Sequence, residues 1–284
     1  MIAVMVFLWS ANFIVGKIAL REFPPALLCG LRLTIAGLFM IPVYMAQAGA
    51  PTWSRRDLPL LIGLGVCGVT LNQLFFLIGL SRTSVVHSVL IIALTPIFVL
   101  LIAALLDQER ITARKLTGML VALGGVGILR ALPAQDAAPS QTPTLLGDFC
   151  VLIAAVTFSA FTVFGKGVSH RHSAITISTF SYLSGALAMV PLTLYEARKF
   201  NFTAVTALGW STLVYMALFP SVLCYLIYYH ALSRISASRV SAFSYLQPII
   251  ATVLAAVALR ERVTLPMVAG GAVIFSGVYL TERG

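Results

Sequence analysis

Ten apolar stretches, each close to the length of one bilayer crossing, take up nearly the whole of this chain: residues 2–20, 26–46, 58–80, 84–106, 116–131, 147–167, 174–195, 209–230, 238–259 and 266–281. The hydrocarbon core is about 30 Å thick and a helix rises about 1.5 Å per residue, so roughly 20 apolar residues make one crossing. Backbone amides in hydrocarbon must find their partners inside the protein, and stretches of this length do so as helices. The rest of the composition agrees. Of 284 residues, 60% are hydrophobic and 10% charged, with a mean hydropathy of +0.99, too apolar for a soluble domain. The expected fold class is all-α integral membrane, with little left over for a soluble domain.

The stretches fall into two sets of five that repeat each other. Trp9-Ser10-Ala11-Asn12 through Gly16-Lys17 is answered by Phe158-Ser159-Ala160-Phe161 through Gly165-Lys166, 149 residues later. Further on the offset becomes 152: Leu80-Ser81-Arg82 with Leu232-Ser233-Arg234, Pro96 with Pro248, Glu109-Arg110 with Glu261-Arg262, and Gly118 with Gly270. Five is odd, so the second unit enters the bilayer upside down. The chain therefore divides into a first unit, 1–131, a Pro-, Ala-, Gln- and Thr-rich linker, 132–146, and an inverted second unit, 147–284. Inverted units of this kind enclose a central site that faces each side of the membrane in turn.

The net charge of +10 does not point to nucleic acid, because the basic residues are scattered in ones, twos and threes at helix ends. That is the pattern of topology signals and snorkelling anchors, with no basic stripe or aromatic recognition motif. With both termini in the cytoplasm, ten basic residues fall on cytoplasmic ends and eight on the opposite ends, Arg32 uncounted. Cys29, Cys67, Cys150 and Cys224 lie within apolar stretches without CxxC spacing, as small buried residues rather than disulfides or metal ligands. The first stretch lacks a basic lead and has an internal counterpart, so it is expected to be a retained span rather than a signal peptide. Glycines cluster in the fifth and tenth spans (Gly118, Gly124, Gly125 and Gly127; Gly270, Gly271 and Gly277), for tight packing inside the fold or for a dimer seam.

Pro96 and Pro248 sit near the middle of the fourth and ninth spans, where each removes a backbone donor and breaks or kinks the helix. Breaks at equivalent places in two halves point to a transport site. Around them lie Thr95, Tyr245 and Gln247. The third span offers Asn72 and Gln73, the eighth Tyr225 and Tyr228, the first Trp9 and Asn12, and the sixth Thr157, Phe158 and Phe161. Uncharged donors and acceptors among aromatic faces suit a small amphipathic solute. All nine acidic residues fall at or beyond predicted helix ends, so no central carboxylate exists to exchange a proton for a cation. Arg32, about two turns into the second span, is expected to snorkel to the surface, the other reading being an anion contact. His87 and His230, near helix ends, are read as solvated imidazoles. Glu109-Arg110 and Glu261-Arg262, at the mouths of the fourth/fifth and ninth/tenth hairpins, are read as structural clamps between elements, the other reading being a gate.

Trp9-Ser10-Ala11-Asn12-Phe13 with Lys17, together with Glu109-Arg110-Ile111-Thr112 … Gly118 … Gly125 and Glu261-Arg262-Val263-Thr264 … Gly270 … Gly277, resembles the EamA branch of the drug/metabolite transporter superfamily. Within it the chain is most similar to the YddG-type exporters of aromatic and other amino acids. The resemblance implies ten helices, cytoplasmic termini, a bacterial inner membrane and a cavity lined by helices 1, 3, 4, 6, 8 and 9. It further implies outward movement of amino acids and related metabolites. Phe161 stands where the first repeat carries Asn12, so the lining is imperfectly symmetric. The expected solute contacts are Trp9, Asn12, Asn72, Gln73, Thr95, Phe161, Tyr225, Tyr228, Tyr245 and Gln247, with Pro96 and Pro248 as kinks. No cofactor, metal or nucleic acid is expected; the partners are the solute and membrane lipid, with the chain a monomer or homodimer. The rivals are a nucleotide-sugar or phospho-metabolite exchanger, for which Arg32 and Lys17 would bind phosphate, and an intramembrane enzyme. For the enzyme there is no HExxH, no GxSxG and no pair of central aspartates.

Overall fold

The computed structural model describes residues 1–46, 56–107, 111–131, 143–234 and 246–282. Among them the chain is helical throughout: α1 Ile2–Ala19, α2 Pro25–Met45, α3 Leu58–Arg82, α4 Val85–Leu105, α5 Ala113–Ala131, α6 Leu145–Ser169, α7 Ala174–Ala197, α8 Ala207–Arg234, α9 Leu246–Ala258 and α10 Leu265–Glu282. Seven of these, α1–α4 and α6–α8, are long and apolar enough to cross a membrane, and α9 and α10 are shorter apolar helices in their described extent. The first part of the predicted ninth span, with Tyr245, lies outside the described residues, as do Glu109, Arg110 and most of the linker.

Helix starts are set by hydroxyl side chains that take up a free amide of the first turn. Ser84 Oγ accepts from His87 N at 3.0 Å, Thr144 Oγ1 from Gly147 N at 3.0 Å, Ser173 Oγ from Thr176 N at 3.1 Å and Thr206 Oγ1 from Gly209 N at 3.2 Å. Two helix ends are tied by lysines. Lys17 Nζ donates to Leu80 O and Thr83 O, each at 2.7 Å, and Lys166 Nζ donates to Leu232 O. A cation on the last carbonyls of a helix suits its negative end. Asp107 and Arg260, just beyond α4 and α9, adopt left-handed backbone at φ 54° and 53°. At Arg260 this turns the chain so that Glu261 N reaches Ala255 O at 3.2 Å, closing the end of α9.

Three helices depart from regular α geometry. α3 widens into a π turn at Gly65–Leu71, and α8 does so at Ala217–Leu223, 152 residues later. Pro220 supplies no amide inside the second, and Ser221 Oγ donates to Met216 O at 2.9 Å. α4 is interrupted at Ala93 and Leu94, between Val85–Ile92 and Thr95–Leu105, so the predicted break at Pro96 falls just ahead of the proline, which stands in the first turn of the restarted helix. Pro248 lies in the first described turn of α9, and the residues its ring would press against lie outside the described part.

α5 lies along α10 and α2 along α7, while α3 packs on α6 and α7, α8 on α1 and α2, α4 on α6 and α9 on α1. Small residues let backbones touch where burial gives no drive between helices. A Cβ built on Gly118 would stand 2.5 Å from Gly277 O, and one on Gly125 2.7 Å from Gly270 O. Gly118 and Gly125 of α5 thus pack against Gly277 and Gly270 of α10, as tight packing within the fold requires, whereas a Cβ on Gly124 or Gly127 would meet nothing within 4 Å.

Candidate functional site

A cavity of about 90 Å³ lies at the centre, where seven helices converge. Its polar wall is Asn12 from α1, Arg32 from α2, Asn72 and Gln73 from α3, Thr95 from the restart of α4, and Gln247 from α9. Trp9, Phe13, Phe76, Ile92, Phe158 and Tyr225 make the rest. The π turns of α3 and α8 stand immediately before Asn72-Gln73 and before Tyr225, so the wide turns set which face these side chains present.

Seven of the ten expected contacts meet here: Trp9, Asn12, Asn72, Gln73, Thr95, Tyr225 and Gln247. Phe161 and Tyr228 do not reach the cavity. Each is about 1% exposed, and they form the layer behind the wall. Phe161 lies 5.5 Å from Tyr225, 5.2 Å from Tyr229 and against Gly68; Tyr228 is hydrogen-bonded to Thr162 and 5.5 Å from Trp9. The helical period accounts for this. Phe158 is the α6 residue turned inward, and Phe161, three positions on, is carried round towards α3 and α8. Tyr245 lies outside the described residues. Phe13, Phe76 and Ile92 carry no signal in the sequence, since an apolar side chain facing a cavity reads the same as one facing lipid. Phe158, grouped with the aromatic faces of the sixth span but not among the expected contacts, does line the cavity.

The wall is held from behind. Trp9 Nε1 donates to Pro220 O at 3.1 Å, a carbonyl within the wide turn of α8, and its ring meets Phe158 and Tyr225 edge-on at 5.8 and 6.0 Å. Asn72 Nδ2 donates to Ala154 O at 2.8 Å, joining α3 to α6. Gln73 Nε2 donates to Tyr182 OH at 3.2 Å, and Ser159 Oγ to Thr95 O at 3.1 Å.

Arg32 departs from expectation. Its side chain runs inward rather than to the surface: it is 3% exposed, Nε donates to Ser221 Oγ at 2.8 Å, and Nη1 has no hydrogen-bond partner among the described residues. Snorkelling needs an open path along the helix. Arg32 instead faces the wide turn of α8, and among the described residues no carboxylate pairs with it. Among the described residues no other charged side chain lines the cavity. Cys29, Cys150 and Cys224 are buried as expected, Cys67 is half-buried, and all four are free thiols.

Polar clusters lie at both ends of the bundle. At one, His87 is buried and its Nδ1 lies 3.4 Å from Asp148 Oδ2, while Thr83 Oγ1 donates to Asp148 Oδ1 at 2.6 Å. The solvated reading therefore fails for His87 and holds for the exposed His230. Glu22 accepts from Thr206 N and Oγ1, each at 2.7 Å, at the start of α8. At the other end Arg171 Nη1 and His172 Nε2 each lie 2.8 Å from Asp57, which holds its carboxyl below the usual range, His172 contributing most.

Glu261 is buried in the loop after α9, and its Oε2 accepts from Val85 N at 3.2 Å, while the adjacent Arg262 is exposed. It links the α9–α10 loop to the start of α4; its counterpart Glu109 lies outside the described residues. Burial raises the Glu261 carboxyl above its ordinary value against the opposing pull of the amides around Val85 and of Lys17. A raised folded pKa favours the folded state at acid pH, and that contribution is lost as pH rises through the raised value. Glu261→Gln keeps an acceptor for Val85 and removes the charge. Its thermal stability should fall less than that of the unaltered protein as pH rises out of the ordinary carboxylate range; parallel curves would contradict the burial argument.

Comparison with known proteins places this geometry. Residues 1–131 and 145–283 match the EamA-like transporter family. The chain is 29% identical over 275 residues to "Uncharacterized transporter YetK" of Bacillus subtilis, covering 96% of this chain and 82% of that protein. It is 27% identical to "Probable terminal-alkyne amino-acid exporter" of Streptantibioticus cattleyicolor, over 97% of this chain and 90% of the other. With "Probable amino-acid metabolite efflux pump" of Escherichia coli it shares 25% identity, over 99% and 93%. A crystal structure at 20% identity has a similar fold, with a TM-score of 0.70 over 99% of this chain and 95% of that one.

Proposed function

This chain belongs to the EamA-like transporter family, and from that premise we propose that it exports amino acids and related small metabolites by alternating access. In this reading residues 1–131 and 147–284 are five-helix units of opposite orientation, joined by 132–146, and form ten spans. The membrane is the bacterial inner membrane and both termini are cytoplasmic. Repeated local geometry supports two related units. The π turns recur at an offset of 152, the lysine caps pair Lys17 with Leu80 and Lys166 with Leu232, and left-handed ends follow both α4 and α9. The contacts of α3 with α6 are answered by those of α8 with α1, and α4 with α6 by α9 with α1.

The observation that carries the solute reading is the cavity wall. Helices of both units supply it with four side-chain amides, one guanidinium and aromatic faces, and among the described residues no carboxylate lines it. Such a wall holds a small amphipathic solute by its polar end and its apolar part at once. Among the described lining residues it offers no carboxylate on which a proton could be exchanged for a cation. The relatives named for amino-acid export agree with that chemistry. The interruption of α4 at Ala93 and Leu94 is the hinge about which one unit rocks, with Pro248 its counterpart in α9.

Purified protein in liposomes, assayed for flux of a panel of free amino acids with and without a pH gradient, tests this. Saturable flux of at least one neutral amino acid is expected. Counterflow of a sugar nucleotide with no amino-acid flux would contradict it.

A further inference from the structure

Three residues of the cavity wall carry a buried polar atom with no hydrogen-bond partner among the described residues: Arg32 Nη1, Asn12 Oδ1 and Gln73 Oε1. They come from three helices, α1, α2 and α3, and are 3%, 6% and 3% exposed in the order Arg32, Asn12, Gln73. Buried polar atoms are nearly always paired, and a cation is the costliest group to leave without an opposite charge. One is a positively charged donor and two are neutral acceptors. Their chemical complement is a group with one negative charge and one set of N–H donors.

We infer that the cavity recognises the zwitterionic headgroup of an α-amino acid, with its carboxylate on the Arg32 guanidinium and its ammonium at the amide oxygens of Asn12 and Gln73. This rests on the proposed function and adds to it how solutes are chosen. Arg32 is already held by Ser221, which fixes the guanidinium while leaving Nη1 to bind. A single guanidinium balances one carboxylate and undercharges a phosphate dianion. An amine without a carboxylate would bring a second positive charge beside Arg32. The rings of Trp9 and Phe158 stay available to the solute's side chain.

The test is uptake of labelled L-phenylalanine into proteoliposomes, competed by phenylalaninamide, phenethylamine and 3-phenylpropionate, for the unaltered protein and for Arg32→Gln and Arg32→Lys. A site built to bind a polar group rejects analogues that leave its partners unpaired, so the amide and the amine should compete about 100-fold more weakly than phenylalanine. 3-Phenylpropionate, which keeps the carboxylate, should fall between. Arg32→Gln should lose uptake and Arg32→Lys should keep part of it, both with a single chromatographic peak and a melting temperature near that of the unaltered protein. Equal competition by the amide, or unchanged uptake by folded Arg32→Gln, overturns the headgroup assignment and leaves the carrier reading intact. The competition series alone decides the matter if the variants fail to fold. Absence of uptake for every free amino acid defeats the carrier reading instead. In that case, thermal stabilisation by 3-phenylpropionate that Arg32→Gln abolishes supports the carboxylate contact, and no such stabilisation overturns it.

Discussion

Leucine in place of Gly277 is expected to remove most of the folded protein from detergent-solubilised membranes. The Cβ of any residue there would stand 2.5 Å from Gly118 O and closer still to Ala122 N. Both are backbone atoms of α5, so no rotamer change relieves the clash and the two helices must separate. Overpacking a tight interface costs about 1–3 kcal/mol even where side chains can adjust. Here backbone meets backbone at Gly118, Ala122 and Gly125 of α5 against Gly277 and Gly270 of α10, and packing of small residues is what holds helices together in lipid. Gly124 is the control, since a Cβ there would meet nothing within 4 Å. Yield and melting temperature by size-exclusion chromatography should fall sharply for Gly277→Leu and little for Gly124→Leu. Equal behaviour of the two would mean that α5 and α10 do not pack through these glycines.

The second large effect belongs to Trp9. Its indole spans the cavity wall, donating to Pro220 O behind and meeting Phe158 and Tyr225 edge-on. Truncating a central aromatic anchor commonly costs about 2–4 kcal/mol of binding, or roughly 30- to 1000-fold. Trp9→Ala should therefore reduce amino-acid flux by about 100-fold at low solute concentration. Trp9→Phe keeps the ring and loses the bond to Pro220, and should fall between. Phe7, two residues earlier and 52% exposed, is the lipid-facing control, and its change to alanine should leave flux near normal. Flux by Trp9→Ala equal to that of Phe7→Ala would remove Trp9 from the solute's path.

What the sequence made legible, and what it left hidden, divide along one line: whether a residue's role depends on its own neighbourhood or on a distant helix. Lys17 and Lys166 stand out as a repeated pair, and each proves to cap the helix carrying its matching Leu80 or Leu232. The amides of Asn12, Asn72, Gln73 and Gln247 are conspicuous in apolar stretches, and all four reach the cavity. The wide turns at Gly65–Leu71 and Ala217–Leu223 leave no mark in hydropathy, because the segments stay apolar and helical. They nonetheless decide which neighbouring side chains face inward. The direction of Arg32 is set by Ser221, 189 positions away, and that of His87 by Asp148, 61 positions away. A side chain whose surroundings come from so far along the chain defaults, from its own helix alone, to the surface reading. Phe161 was singled out for standing opposite Asn12 in the repeat, but α6 turns Phe158 inward in its place.

In the proposed carrier, two five-helix units cross the membrane in opposite directions. Arg21, after α1, and Arg171, after α6, occupy equivalent loops of the two units, and both are exposed. Single cysteines at these positions, in a background without Cys29, Cys67, Cys150 and Cys224, can be labelled in intact cells with a membrane-impermeant maleimide. Labelling at position 21 and protection at position 171 is the predicted result. Labelling of both, or of neither, would put the two loops on one side of the membrane and contradict the opposed orientation.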